Sequence, residues 1–202
     1  MANLEPLIQS IPVAPLKLAS LEGCRTLADQ VNNYLVSFRH ESPTNVGQAD
    51  SLQGYCADSY LLECECPRFG SGEGKGVLKE SVRGCDLFIM VDVTNYSLTY
   101  RVNGYENHMS PDNHYQDLKR IISAADGKAR RINVIMPFLY EGRQHKRSKR
   151  ESLDCALMLQ ELVDMGVSNI LTFDAHDPRV SNSIPLHGFD SFMPTYQFLK
   201  AL

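Results

Sequence analysis

The stretch INVIMPFLYEGRQHKRSKRESLDCALMLQELVDMGVSNILTF, residues 132–173, decides the fold. It begins and ends in short apolar runs, Ile132–Met136 and Asn169–Phe173, which predict two buried strands. Between them, Ser152–Met165 predicts a helix, because its apolar residues recur at helical spacing and Gly166 follows its end. A strand, a helix and a second strand in this order predict two parallel strands joined by a right-handed crossover.

The rest of the chain continues to alternate between strand and helix patterns, apart from two segments. The polar stretch His40–Asp58 is predicted to be a surface loop inserted into the fold, and Asn95–Asn113 is predicted to be irregular. We therefore expect residues 1–202 to form a single α/β domain, a doubly wound and mainly parallel sheet with helices on both faces. The remaining strands are predicted at Leu16–Ala19, Tyr60–Phe69, Gly76–Ser81 and Asp86–Val93, and the remaining helices at Gly23–Phe38, His114–Ala125 and Met193–Leu202.

The composition is that of an ordinary globular protein and argues against several functional classes. With a net charge of −4 and a pI near 5.9, the chain is not expected to bind nucleic acid over a broad surface. No apolar run approaches the roughly 20 residues of a membrane span, and the first residues lack the pattern of a signal peptide. We therefore expect a cytoplasmic protein with no membrane or nucleic-acid partner, whose six cysteines are buried, reduced thiols.

Two polar loops follow the ends of predicted strands and carry the candidate chemistry. The first, PFLYEGRQHKRSKRE at residues 137–151, has five Lys and Arg residues within positions 143–150. The second, FDAHDPR at residues 173–179, places Asp174 and His176 directly after a strand. Arginine pairs with phosphate oxygens and carboxylates near phosphate hold Mg²⁺, so the two loops together predict a site for a metal-bound polyphosphate. Taken separately, the basic run is equally explained as solvated charge or an RNA-binding patch, and the acidic loop as helix capping.

A third feature is the glycine-containing segment FGSGE, Phe69–Glu73, between two predicted strands. Such a segment is typical of a hairpin turn. No P-loop, dinucleotide-binding, serine-hydrolase or zinc-protease motif accompanies it in the sequence. The residues alone therefore predict a site for an anion and a metal but do not identify a reaction.

The order of these motifs resembles that of a known enzyme family. FGSGE, ESVRGCD, PFLYEGRQ and FDAH occur in the order of the corresponding motifs of ribose-phosphate diphosphokinase, or phosphoribosyl pyrophosphate (PRPP) synthetase. A later motif of the family is similar to Ile184-Pro185 and Asp190. The chain resembles the N-terminal half of the family from Phe69 to Leu202, and less clearly over its first forty residues. The resemblance implies a phosphoribosyltransferase-like fold.

The resemblance also implies a reaction and the residues that perform it. The family transfers the β,γ-diphosphoryl group of Mg²⁺-bound ATP to the 1-hydroxyl of ribose 5-phosphate, giving AMP and the PRPP used in nucleotide biosynthesis. It further implies a homo-oligomer, a hexamer built from dimers, because a turn from a neighbouring subunit completes each ATP site. By this resemblance the nucleotide-binding residues are Phe69, Glu73, Arg143 and Gln144, the metal-binding residues are Asp174 and His176, and His176 is also catalytic.

The chain departs from the family in ways that affect its expected activity. Ser71 stands where the family has an Asp that recognises adenine, and His145 stands where it has another Asp. Nothing in the sequence matches the C-terminal domain, which binds ribose 5-phosphate and carries a catalytic flexible loop. We therefore expect this chain to bind ATP and Mg²⁺ but to be inactive alone. The alternatives are a non-catalytic regulatory subunit of the synthetase and an RNA-binding module that uses the basic loop.

Overall fold

The structure, a computed structural model, describes residues 14–41 and 56–202. Two short 3₁₀ helices lie at Glu22–Cys24 and Pro178–Ser183. The α-helices of these ranges are α1 (Arg25–Glu41), α2 (Pro111–Ala124), α3 (Asp154–Asp164) and α4 (Thr195–Ala201). The strands are β1 (Leu16–Ser20), β2 (Leu61–Leu62), β3 (Cys64–Glu65), β4 (Val77–Leu78), β5 (Asp86–Met90), β6 (Thr99–Val102), β7 (Tyr105–His108), β8 (Arg131–Ile135), β9 (Val167–Phe173) and β10 (Gly188–Phe192).

The central sheet has six parallel strands in the order β2-β1-β5-β8-β9-β10. The segment β8-α3-β9 is the predicted crossover, and it places Ile132 opposite Val167 and Ile135 opposite Leu171. The carboxyl ends of these two strands therefore meet at one edge of the sheet. The predicted doubly wound, mainly parallel α/β fold is confirmed.

Helices cover both faces of this sheet and enclose two hydrophobic cores. The larger core packs α2 and α3 against one face, with Leu118 and Leu159 completely buried beside Leu87 of β5. The smaller core packs α1 against the other face, where Ala28 contacts the cluster that contains Met90. Completely burying such aliphatic side chains contributes about 1.5–3 kcal/mol each relative to exposure.

The predicted strand Tyr60–Phe69 is divided between two sheets. Its first part is β2, which pairs in parallel with β1, whereas β3 pairs in antiparallel with β4. The two parts differ because the chain leaves the central sheet after Leu62. A further antiparallel bridge joins Arg68 and Gly74, so the predicted hairpin turn at Phe69–Glu73 is confirmed.

The prediction that Asn95–Asn113 is irregular is wrong, because this segment contains the β6–β7 hairpin. Its turn residues Asn103 and Gly104 both have positive φ, 51° and 85°, which is the backbone that an Asn-Gly pair favours between two strands. The segment also contains the start of α2, where the Ser110 hydroxyl caps the helix by accepting a hydrogen bond from the Asn113 amide at 3.2 Å.

The predicted elements also omit β10, which lies at the edge of the central sheet. Its sequence GFDSF is short and mixes polar with aromatic residues, so periodicity alone gives it little support. Pairing with β9 supplies the missing information, because Asp190 lies opposite Leu171 in a parallel register. The edge strand is thus specified by its neighbour more than by its own residues.

Near the N-terminus, α1 continues to Glu41, three residues beyond the predicted helix end at Phe38. The predicted loop His40–Asp58 therefore begins later than expected, and its residues 42–55 lie outside the described part of the chain. Within the described ranges, no helix has both the length and the apolar character needed to cross a membrane. The cysteines are free thiols; Cys24, Cys64, Cys85 and Cys155 are buried as predicted, Cys66 is half-buried, and the prediction is wrong for the exposed Cys56.

Candidate functional site

The two predicted loops face each other across a cleft at the carboxyl edge of the sheet. One loop leaves β8 and the other leaves β9, and these strands are parallel neighbours. The cleft between them has a volume of about 300 Å³. Its lining includes Leu139, Gly142 and Arg143 from the first loop and Phe173, Asp174 and His176 from the second.

A tight turn presents Arg143 at the rim of the cleft. Leu139 is buried, and its carbonyl accepts a hydrogen bond from the Gly142 amide at 3.0 Å. A Cβ atom on Gly142 would lie 3.0 Å from the same carbonyl oxygen, so a side chain here would require the turn to shift by a few tenths of an ångström. Glu141 has a φ of 55°, a left-handed backbone that turns the chain sharply before the exposed Arg143.

Tyr140, in the same loop, attaches the loop to α2. The Tyr140 hydroxyl donates a hydrogen bond to Asp112 Oδ1 at 2.6 Å, and its ring stacks on Tyr115 with centroids 4.6 Å apart. Burial, followed by the hydrogen bond to Asp112, raises the pKa of Tyr140 above its ordinary value. Because the hydroxyl stays protonated, this donor holds the loop at any physiological pH.

The start of the second loop is anchored to β10 by two hydrogen bonds. The Asp174 amide donates to the Phe192 carbonyl at 3.0 Å, and the Ala175 amide donates to the Ser191 hydroxyl at 2.9 Å. Asp174 has a φ of 45°, which is uncommon for a residue other than glycine and is characteristic of functional loops. Both Asp174 and His176 leave this turn with exposed side chains.

Asp177 fixes the end of this loop from a buried position. Its carboxylate accepts from the Arg179 amide at 2.9 Å, capping the 3₁₀ helix, and it also pairs with both Nε and Nη2 of the Arg179 side chain. These hydrogen bonds to Arg179 hold the pKa of Asp177 well below its usual range. The carboxylate is therefore ionised at neutral pH.

Of the six residues predicted from the resemblance, three share the cleft and three do not. Arg143, Asp174 and His176 line it together. Gln144 does not line it. Its side-chain Nε2 donates to the Ser152 backbone carbonyl at 2.7 Å, and its backbone carbonyl accepts from the Cys155 amide at 3.3 Å. Gln144 thus connects the end of the loop to α3.

Phe69 and Glu73 also lie apart from the cleft, at the two ends of the hairpin turn. The Phe69 amide donates to the Glu73 carbonyl at 2.7 Å, which closes the turn, and the Phe69 side chain is 53% exposed. Ser71, where the family has an Asp, donates its hydroxyl to Glu73 Oε2 at 2.8 Å. The turn therefore presents an aromatic ring and a carboxylate to solvent, and neither side chain lines the cleft of its own chain.

The donor atoms of the cleft suit a polyphosphate more than a bare metal ion. Among residues 14–41 and 56–202, no group of three His, Cys, Asp or Glu side chains is placed to hold a metal without other ligands. Mg²⁺ does not need such a cage, because it keeps several waters and takes oxygen ligands from a phosphate. The Arg143 guanidinium can pair with phosphate oxygens, while Asp174 and His176 face the same space. The residues present therefore fit Mg²⁺ when it arrives bound to phosphate.

Comparison with known proteins identifies the family. Residues 16–166 match the family described as the N-terminal domain of ribose phosphate pyrophosphokinase. The chain belongs to this family. The family predicted from the motifs is therefore confirmed, and the match to the pyrophosphokinase N-terminal domain includes β1 to β8 and α3.

Named relatives agree with this assignment and show how much of a pyrophosphokinase the chain represents. Ribose-phosphate pyrophosphokinases of Corynebacterium ammoniagenes and Bacillus cereus are each 29% identical over 167 residues, which is 82% of this chain but 41% of the relative. The crystal structure of phosphoribosylpyrophosphate synthetase from Mycobacterium smegmatis has a TM-score of 0.68 at 22% identity, covering 93% of this chain and 51% of that one. The chain thus spans about half the length of the pyrophosphokinases it matches, or less.

Proposed function

We propose that this chain is the ATP-binding part of a ribose-phosphate pyrophosphokinase, the enzyme that transfers diphosphate from Mg²⁺-bound ATP to ribose 5-phosphate to make PRPP. The observation that supports this most directly is the shared cleft of Arg143, Asp174 and His176. A cationic side chain opposes a carboxylate and an imidazole across one opening, which is the arrangement a metal-bound triphosphate requires. We expect the protein to act in the cytoplasm.

Each cleft residue has a separate role in this proposal. The Arg143 guanidinium binds the oxygens of the triphosphate, since its planar fork matches their geometry. Asp174 and His176 hold the metal, directly or through water, and His176 can also donate to the transferring phosphoryl group. Mg²⁺ supplies neutralisation of the charge that develops on the phosphate oxygens.

The hairpin turn takes part in a different copy of the site. Phe69 and Glu73 are exposed and do not line the cleft of their own chain, which leaves them available to contact a nucleotide on another subunit. This placement supports a homo-oligomer, and we propose the hexamer built from dimers that the resemblance implies. The Phe69 ring would then stack on the base of a neighbour's ATP.

Catalysis needs groups beyond those described. Diphosphoryl transfer depends on positioning and on charge stabilisation around the whole transferring group. The cleft supplies one side of that environment, and the match covers 41% of the Corynebacterium ammoniagenes relative. We therefore propose that the 202-residue chain binds ATP and Mg²⁺ but makes no PRPP by itself; steady production of AMP and PRPP by the purified chain would contradict this.

The test is calorimetric titration of the chain with Mg²⁺ and ATP. We expect Arg143→Ala to weaken binding about 10- to 100-fold, the range for losing a charge-assisted hydrogen bond, and His176→Ala to do so less strongly. Arg130→Ala is the matched control, because Arg130 is exposed at the opposite end of β8. Omitting Mg²⁺ is expected to weaken binding to the wild-type chain. Absence of binding by the wild-type chain, or equal losses in the Arg143 and Arg130 variants, would refute the proposed site.

A second candidate is a non-catalytic subunit that assembles with active pyrophosphokinase subunits. It is favoured by Ser71, whose hydroxyl is hydrogen-bonded to Glu73 where the family has an acidic group. The two candidates differ in their partners. Copurification with a full-length synthetase of the same cell, together with an absence of Mg²⁺-ATP binding, would support the second.

A further inference from the structure

His145 lies between the two loops of the cleft and contacts both. Its Nδ1 is 3.1 Å from the Arg143 carbonyl oxygen, and because a carbonyl oxygen can only accept, the two atoms form a hydrogen bond in the tautomer that carries a proton on Nδ1. Its Nε2 is 3.4 Å from Asp177 Oδ2, an ion pair in the protonated form of the ring. The ring also packs at a 59° tilt against His176, with centroids 5.2 Å apart.

This side chain is unlike the rest of the basic run that follows it. The His145 side chain is 12% exposed, whereas each residue from Lys146 to Arg150 is exposed. In the described chain, no other side chain of residues 138–151 makes a hydrogen bond, ion pair or ring contact with residues 174–179. The polar contact across the cleft therefore depends on one residue.

The partner of His145 is itself rigidly held. Asp177 is 8% exposed, caps the 3₁₀ helix and is clasped by two nitrogens of the Arg179 side chain. The contact to Asp177 therefore anchors the basic loop to a part of the fold that is held by other hydrogen bonds. The other end of the contact is the backbone of Arg143, the residue that faces the cleft.

We propose that His145 is a positioning residue, which bridges the Arg143 carbonyl and the Asp177 carboxylate and so sets the separation of Arg143 and His176 for a polyphosphate bound between them. The ligand named here rests on the proposed function; the bridge itself does not. A guanidinium displaced by an ångström binds phosphate much more weakly, so loss of the bridge should lower the affinity for the polyphosphate.

Three substitutions separate the two ends of the bridge. His145→Ala removes both contacts, His145→Asn keeps an N–H donor near the position of Nδ1, and His145→Gln keeps one near the position of Nε2. The matched control is His108→Ala in the β6–β7 hairpin. The His108 ring also stacks on another ring, that of Tyr96, and its Nδ1 also contacts a backbone carbonyl. The melting temperature of each variant is measured first, so that a misfolded variant is recognised before its binding is compared.

The first measurement is Mg²⁺-ATP binding to the full chain. We expect a loss of about tenfold in His145→Ala and His145→Asn, with the affinity restored to within about threefold in His145→Gln. The Asp177 contact is the one that joins the two loops, whereas Arg143 is only two residues from position 145 and stays near it in every variant. His108→Ala should bind as the wild type does. Equal losses in the Asn and Gln variants, or no loss in any, would overturn the bridge to Asp177.

The second measurement needs no ligand and keeps the two proposals distinguishable. The Gln144 amide donates to the Glu141 carbonyl at 2.9 Å, so its hydrogen exchange reports opening of the basic loop. We expect exchange about tenfold faster in the Ala and Asn variants than in the wild type, and near wild type in the Gln variant. If the wild-type chain fails to bind Mg²⁺-ATP, the proposed function falls while this exchange pattern still decides the bridge; unchanged exchange in every variant would overturn it.

Discussion

The cleft and the hairpin turn both present polar side chains to solvent, yet they are held in place in different ways. The cleft is positioned by the topology of the sheet, because its two loops leave adjacent parallel strands. The turn lies outside the central sheet, and a buried ion pair between Arg68 and Asp117 holds its base. A site built on strand order should tolerate changes to its rim, whereas a site built on one buried pair should depend strongly on each partner.

The ion pair below the turn is part of a compact network. Asp117 of α2 accepts from Nη1 and Nη2 of Arg68 at 2.6 and 2.8 Å, and from Arg120 at 2.6 Å. The side chains of Arg68 and Asp117 are 9% and 6% exposed. The Tyr100 ring covers the Arg68 guanidinium at 5.2 Å, and Val102 of the same hairpin lies 3.0 Å from the place of a Cβ on Gly72. The β6–β7 hairpin thus braces the turn.

The largest effect is expected for Asp117→Ala. This change leaves the buried Arg68 without its partner, which costs about 3 kcal/mol of unfolding free energy. Chemical denaturation measures the loss, and Glu80→Ala is the control, because Glu80 forms an exposed pair with Lys17 and its loss should cost under about 0.5 kcal/mol. Equal losses in the two variants would remove the distinction between the turn and an ordinary surface pair.

The cleft was the more predictable of the two regions. Apolar runs at Ile132–Met136 and Asn169–Phe173 predicted adjacent parallel strands, and parallel strands put their following loops at one edge. The placement of Arg143 and His176 in one cleft follows from that arrangement. The role of Gln144 could not be foreseen in the same way, because its contact with Ser152 depends on the path of the loop and not on its spacing.

The anchor of the turn could not be predicted, because Arg68 and Asp117 are 49 positions apart and no periodic pattern links them. The β6–β7 hairpin did leave a signal in Asn103-Gly104, the pair most typical of a two-residue hairpin turn. The polar residues around that pair obscured it. Similarly, the sequence marked His145 only as a departure from the family, and its contact with Asp177 could not be foreseen because the two residues lie on different loops.

A somewhat smaller loss is expected for Gly76→Ala, where the chain passes α2 closely. A Cβ at this position would lie 2.3 Å from the Arg120 carbonyl oxygen, so the backbone of one segment must move. We expect a cost of about 2 kcal/mol, as for other overpacked sites. Gly70→Ala is the control within the turn, because its Cβ would meet nothing within 4 Å. Thermal and chemical denaturation of both variants check the pair, and a harmless Gly76→Ala would show that α2 does not fix the turn.

A change in the β6–β7 hairpin that packs against the turn should lower the free energy of unfolding by a smaller amount. Tyr100→Leu keeps apolar bulk but removes the aromatic face over Arg68, and the loss of this cation–π contact is expected to cost about 1 kcal/mol. Tyr105→Leu in the same hairpin is the control, since Tyr105 is 76% exposed. If both variants unfold at the same denaturant concentration, the hairpin does not brace the ion pair.

The smallest change in stability is expected where the effect on binding is largest. Arg143→Ala and His176→Ala alter exposed side chains that line the cleft. Within the described residues, the Arg143 guanidinium and the His176 imidazole form no hydrogen bond or ion pair, and the only ring contact of His176 is with His145. Each variant should therefore unfold within about 0.5 kcal/mol of the wild type. Denaturation curves compared with the calorimetric titrations provide the check. A loss near that of Asp117→Ala would mean that the rim of the cleft holds the fold together, and the weakened binding of these variants would then have to be attributed to a damaged domain.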